Sequence, residues 1–297
     1  MNGSPGDEIA AMAAVANRAY HRQVISHDLH ALGFDAPDLD SLVNSAAQAG
    51  AVGVEDVGGF DLLAAYTDPS GARLAMLSRD GEMDTMASLV APTTHPADLV
   101  RFSPSVALVD IYSHASLASM LTGESVLKLP MTNRKHLARF LANVDDPVEV
   151  PLCPEPGDDT PRFVEHLRVG AVANQMLRVF EAEEEYGRSH EGSLGSELQF
   201  AAGTLISPWL MEINAGRATR DEASAVAEMT MVCKKVEKRT NALTGADWYR
   251  IVGNTSIPMT LAAPANLPRT PHEGSVVTGQ VVPVVSTGTW EGDALWG

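Results

Sequence analysis

The stretch HRQVISHDLH, residues 21 to 30, places three of the chain's nine histidines within ten positions. Imidazoles at this density are the material of a zinc site or a proton-transfer centre. His27 and His30 are three apart, so on a helix they share one face, about 60° from each other. His21 points elsewhere, and Asp28 projects away from the pair. Zinc takes three or four convergent ligands, and HxxH supplies two. The flanking apolar residues decide the rest. If the stripe Ile25, Leu29, Leu32 is the buried one, His27 faces solvent; if the stripe of the preceding residues continues, His27 is buried. Either reading is favoured over a metal centre.

EAEEEYGRSHEG, residues 181 to 192, is the second candidate. Read as the last turns of a long helix, it sets Glu181, Glu183, Glu184 and Glu185 against the negative end of the helix dipole. A broken local rule points towards function. Glu181, Glu184 and Glu185 share a face, and His190 and Glu191 are close enough in sequence to fold back. Glu184, Glu185, His190 and Glu191 would suit magnesium, calcium or manganese. The competing reading, and the favoured one, is a solvated acidic face.

The third is KKVEKR, residues 234 to 239, which holds Lys234, Lys235 and Lys238, three of the chain's five lysines. At a helix C-terminus these charges oppose the dipole favourably. They could also dock against the acidic 181–185 patch of a neighbouring helix or subunit. Familiar catalytic patterns are absent from the sequence: no GxSxG, no GxxxxGK[ST], no GxGxxG and no HExxH. Cys233 reads as a core residue and Cys153 as a loop residue. Asp158 and Asp159 are explained by a polar loop, and Ser113-His114 and Ser189-His190 are adjacent pairs without triad meaning.

These residues sit in a chain of 297 with 45% hydrophobic residues, enough for a sizeable core. Net charge is −17, which disfavours nucleic acid and anionic membranes as partners. Two cysteines cannot form a disulfide framework or a cysteine-rich zinc site. No apolar run reaches the ~18 residues of a membrane span, and the start lacks a secretory pattern. A cytoplasmic location, or virion and host cytoplasm for a viral protein, is the expectation.

The elements expected to carry the candidates are mostly helices. Periodicity predicts helices over 7–32, 35–50 (capped by Asp35), 103–122, 133–144, 161–186, from 196 with a restart at Ser207-Pro208, and 219–245. Residues 106 to 112, VALVDIY, would equally serve as a strand. The last helix opens on a Thr219–Glu222 capping box and carries Val226, Met229, Cys233, Val236, Thr240 and Leu243 at alternating spacings of three and four. Phe60–Ser78 predicts a hairpin around DPSG. Prolines at 258, 264, 268 and 271 predict an extended C-terminal arm, ending in an edge strand that contains Pro283.

The expected fold is therefore α+β and mostly helical, with a small antiparallel sheet from hairpin 60–78 and an extended C-terminal arm. The divisions are an N-terminal region 1–147, a proline-rich linker 148–160, a helical region 161–256 and the arm 257–297. The expected function is a non-enzymatic, self-assembling or partner-binding structural protein, such as a virion or scaffold component. Its contacts would be Glu181, Glu184, Glu185, Lys234, Lys235, Lys238, Trp290 and Trp296, and its partner another copy or another protein. No cofactor is expected. The alternative is a metal-dependent enzyme using the 181–191 cluster.

Overall fold

The computed structural model describes residues 25–114, 134–157, 160–189 and 200–291. It corrects the expected fold class: the chain is mostly β, 48% strand and 14% helix, and not mostly helical. The order is helix α1 (His27–His30), helix α2 (Leu39–Gln48), strands β1 (Val52–Val57), β2 (Phe60–Thr67), β3 (Ala72–Arg79), β4 (Glu82–Leu89), β5 (Thr94–Arg101), β6 (Val106–Tyr112) and β7 (His136–Val144). Then come β8 (Arg162–Ala173), β9 (Arg178–Phe180), helix α3 (Glu183–Arg188), β10 (Thr204–Ile206), helix α4 (Pro208–Asn214), β11 (Ala227–Thr240), β12 (Asp247–Asn254), β13 (Pro258–Pro264) and β14 (Val276–Ser286).

β1 to β4 form a four-stranded antiparallel meander. The hairpin around DPSG is its centre, with Thr67 opposite Arg73. β2 and β3 are buried almost throughout because both faces of this sheet are covered. Leu62, Ala64, Tyr66, Leu74 and Met76 face the main core. Leu63, Ala75, Leu77 and Met86 face a smaller cluster closed by Val148 and Trp290.

The remaining strands make a ten-stranded sheet in the order β10-β11-β12-β13-β8-β5-β6-β7-β14-β9. Pairing of β11 with β14 closes β11-β12-β13-β8-β5-β6-β7-β14 into an eight-stranded barrel. β14 also pairs with β8 across that ring, Val282–Ser286 against Arg168–Val172. The barrel is thereby pinched into two circuits, β5-β6-β7-β14-β8 and β11-β12-β13-β8-β14. Leu99, Val109, Phe140, Val169, Leu261 and Val284 join the meander and α2 in one contiguous core. Close approach of strands requires Gly253: a Cβ there would lie 2.6 Å from both Met231 Cγ and the Val232 carbonyl oxygen.

Four expected helices are strands for a common reason. In β11 the buried apolar residues are Ala227, Met229, Met231 and Cys233, a period of two. The spacing of three and four came from reading Val226, Val236 and Leu243, which are only half-buried, into the same seam. β-branched Val and Thr at positions 230, 232, 236 and 240 favour the pleat. Of the Thr219–Glu222 capping pair one backbone bond forms, Thr219 N to Glu222 Oε2 at 2.9 Å; the Thr219 hydroxyl donates to the same carboxylate at 2.7 Å, and no helix follows. Strand β6 takes the alternative reading of VALVDIY, and the segments expected as helices 133–144 and 161–186 contain β7, β8 and β9.

The extended arm is corrected as well. β13 and β14 are integral barrel strands, and β14 touches β7, β8, β9 and β11. Pro283 is accommodated because it lies between the β9 partner at Val276–Thr278 and the β7 partner at Val284–Val285, where one edge of β14 has no strand neighbour among the described residues.

Helix α2 is capped by Asp38, whose Oδ1 accepts from Ser41 N at 2.8 Å, three residues later than the expected cap at Asp35. α4 begins at Pro208 as expected. Helix α1 is a single turn ended by Gly33 at φ +72°; residues 7–24 of the expected first helix lie outside the described residues.

Candidate functional site

The outer face of β5-β6-β7 gathers the densest set of acid–base groups. Asp98 stands opposite Asp110, and Asp110 opposite Arg139, so three side chains line up across three strands. Arg139 grips Asp110 with Nε–Oδ1 at 2.6 Å and Nη2–Oδ2 at 2.7 Å. A bulge after Ile111 brings Tyr112 opposite His136, whose Nε2 lies 2.8 Å from Asp110 Oδ1. Tyr112 donates its hydroxyl to Asp98 Oδ2 at 3.0 Å. Burial, then the hydrogen bond and charge of Asp98, push the Tyr112 phenol up to about 12. Burial also raises Asp98, helped by the charge of Asp110 and opposed by the Tyr112 bond. Asp110 thus orients a half-exposed imidazole, as a general-base pair requires. Among the described residues, however, no serine, threonine or cysteine hydrogen-bonds to the ring of His136.

A cleft of about 510 Å³ opens at the far end of the meander. Leu39, Phe60, Leu77, Met83 and Pro104 give it apolar walls, and Arg79, Asp80, Glu82 and Asp84 rim it. A smaller cavity of about 180 Å³ is lined by His27, His30, Met176 and Pro264 among others. Leu29 and Leu32 are buried, so the histidine pair lies on the outward side of α1, with His27 exposed. His21 lies outside the described residues. Among the described residues no group of three or more His, Cys, Asp and Glu side chains is arranged to hold a metal ion.

The acidic 181–185 patch has partners of its own. Glu181 Oε1 is 2.8 Å from His272 Nε2, and Glu185 Oε2 is 2.7 Å from Arg269 Nη1. The supposed rule-breaking disappears: Glu183, Glu184 and Glu185 occupy the first turn of α3, where the dipole favours them. Glu184 is exposed, while His190 and Glu191 lie outside the described residues. The backbone amide of Glu181 and then Arg269 hold the Glu185 carboxyl below its usual range. His272 is raised by the Glu273 carbonyl and by Glu181.

Lys234, Lys235 and Lys238 sit on strand β11 rather than at a helix end. Lys235, Arg239 and Arg250 converge on Glu237, at 2.6, 2.8 and 2.6 Å, and hold its carboxyl down at about 2. Lys238 pairs with Asp247 at 2.6 Å. Trp290 is turned inward, its Nε1 donating to the Asp145 carbonyl at 2.9 Å. Trp296, Asp158 and Asp159 lie outside the described residues. Cys233 is fully buried, which pushes its thiol up to about 12, and Cys153 is half-buried.

No family model, no curated protein and no solved structure matches this chain. Among the described residues no helix is long and apolar enough to cross a membrane.

Sequence reasoning missed a buried polar junction. Arg73 of β3 is sealed from solvent and reaches Asp145 Oδ2 at 2.8 Å and Glu291. Ser88 of β4 donates to the same Asp145 oxygen at 2.7 Å, while Asp145 Oδ1 has no hydrogen-bond partner among the described residues. The neighbouring Asp146 accepts from Thr287 N at 2.9 Å, Thr287 Oγ1 at 2.7 Å and Thr289 N at 3.2 Å. Meander, barrel and the turn after β14 meet here. Burial, and then the charge of Asp145, push Asp146 up to about 6 against the pull of these hydrogen bonds. The adjacent Asp145-Asp146 pair, just ahead of the proline-rich stretch, was the available signal.

Proposed function

We propose that this protein is a non-enzymatic building block that associates with further protein subunits, copies of itself first. The observation that carries the reading is the open edge of β7. Along one side β7 pairs with β6. On the other, among the described residues, it meets β14 only at Asn143–Val144 and the Ser207 hydroxyl at Leu141 N. Among the described residues, His136 to Phe140 therefore present an edge without a strand partner. Leu137 is exposed on that edge, and Trp209 and Met211 are exposed on α4, which starts beside it. An unpaired strand edge flanked by apolar side chains is a docking feature for another polypeptide.

The His136–Asp110 pair favours catalysis less, because among the described residues no serine, threonine or cysteine is hydrogen-bonded to the imidazole. The carboxylates Glu181 and Glu185, proposed as part of the acidic patch, are engaged by Arg269 and His272. Light scattering behind size exclusion across a concentration series tests the reading. Masses above 31.5 kDa that rise with concentration are expected. A mass of 31.5 kDa at every concentration overturns it.

A further inference from the structure

We infer that copies of this chain join head to tail, the β11–β12 hairpin of one copy docking in the cleft at the far end of the neighbour's meander. This rests on the reading above that copies of the chain associate, and assigns the copy-to-copy contact to these two surfaces, leaving the β7 edge for a further subunit. The cleft has apolar walls, Phe60, Leu77 and Met83 among them, and its rim carries Asp80, Glu82 and Asp84 against Arg79 and the buried Arg101, which lies over the Phe60 ring and donates to the Pro104 carbonyl. Arg79, 3.5 Å from Asp80, is the cation that pairs at this end among the described residues. Glu55, Asp56 and Asp61, at the same end of the sheet, add to the negative field.

The opposite end of the same sheet is clasped by a cationic hairpin. Asp68, in the β2–β3 turn, accepts from Ala242 N at 3.0 Å and Leu243 N at 3.2 Å of the β11–β12 turn. Trp248 Nε1 donates to Ser70 Oγ at 3.2 Å. The hairpin carries Lys234, Lys235, Lys238, Arg239 and Arg250 against Glu228, Glu237 and Asp247. Three of those cations share the single carboxylate of Glu237, so positive charge is left over. Lys235 and Lys238 side chains are 64% and 58% exposed.

The length of β3 separates the two ends by roughly 25 Å at ~3.3 Å per residue. That is about three Debye lengths at physiological salt, so the two patches cannot neutralise one another within one copy. Between copies they can. Because the two surfaces differ, the contact is heterologous, and repetition generates a ring or a filament rather than a closed dimer. Lysine stems suit an apolar cleft whose acidic rim receives the ammonium groups.

Two variants test this in full-length protein, with far-UV circular dichroism confirming that each folds. One carries Lys234→Glu, Lys235→Glu and Lys238→Glu; the other Asp80→Asn, Glu82→Gln and Asp84→Asn. Each alone should remain at monomer mass where the unaltered protein grows. An equimolar mixture should stop at a one-to-one dimer, because one intact hairpin meets one intact cleft. High salt should lower the mass of the unaltered protein. Growth of either variant like the unaltered chain, or a mixture that stays monomeric, overturns this interface and leaves the assembly reading standing. An unaltered protein that is monomeric at every concentration overturns both.

Discussion

Arg73 Nη1 lies 2.8 Å from Asp145 Oδ2, and neither side chain has any exposure to solvent. The two residues are 72 positions apart: Arg73 lies in β3 of the meander, and Asp145 directly follows β7 of the barrel. A guanidinium suits this place because its fork spans Asp145 on one side and Glu291 on the other. Burial alone would make Arg73 easier to deprotonate, but Asp145 and Glu291 outweigh it and raise its pKa.

Removing the cation should therefore strand buried negative charge. Arg73→Met is expected to destabilise the fold by about 3–5 kcal/mol, the usual cost of breaking a buried pair from one side. Urea denaturation followed by Trp fluorescence reads it directly. A loss below about 1 kcal/mol would mean that water reaches Asp145 and that the junction does not hold meander to barrel.

Asp146 makes a separate prediction about pH. Its folded pKa, about 6, lies above the ordinary 3.8, so protonation favours the folded state. The stabilisation is complete below the unfolded pKa and fades as pH rises through 6. Over that window the shift corresponds to about 3 kcal/mol at 1.36 kcal/mol per unit. Asp146→Asn should remove this slope, so the stability difference between variant and unaltered protein should change in favour of Asn from pH 4 to pH 7. An equal difference at both ends would contradict the assignment.

Cys233 supplies a probe of the barrel. Its side chain is fully buried between β12 and β14, and its thiol is pushed up to about 12. In a Cys153→Ser variant a thiol reagent at neutral pH should label only as fast as the protein opens, and denaturant should accelerate labelling greatly. Immediate labelling in native buffer would show the β11–β12 strand pair to be loosely closed.

Some of the structure was legible along the chain because its causes are local. Proline and glycine in DPSG bend the chain whatever surrounds them, and the hairpin Phe60–Arg79 is where they put it. Leu42, Val43, Ala46 and Ala47 bury one face of α2 at helical spacing. Pro208 restarts a helix because its fixed φ and missing donor suit the first turn.

Where apolar residues are dense, local pattern lost its meaning. In β11 a spacing of three and four coexists with the period of two at Ala227, Met229, Met231 and Cys233, and only burial against β12 and β14 chooses between them. Glu183, Glu184 and Glu185 kept their sequence while their position in the helix changed from last turn to first, which reversed the electrostatic argument built on them.

By itself the sequence determined the acidic charge, the scarcity of reactive groups, the turns, and the residues able to fill a core. The tertiary structure decided the barrel, the Arg73–Asp145 junction, the Asp98–Asp110–His136–Arg139 cluster, and the separation of a cationic hairpin from an acidic cleft. The physical reason is that strand partners are chosen by contacts between distant segments, such as Val282–Ser286 with Arg168–Val172. A helix closes its hydrogen bonds within four residues; a strand cannot satisfy any of its own.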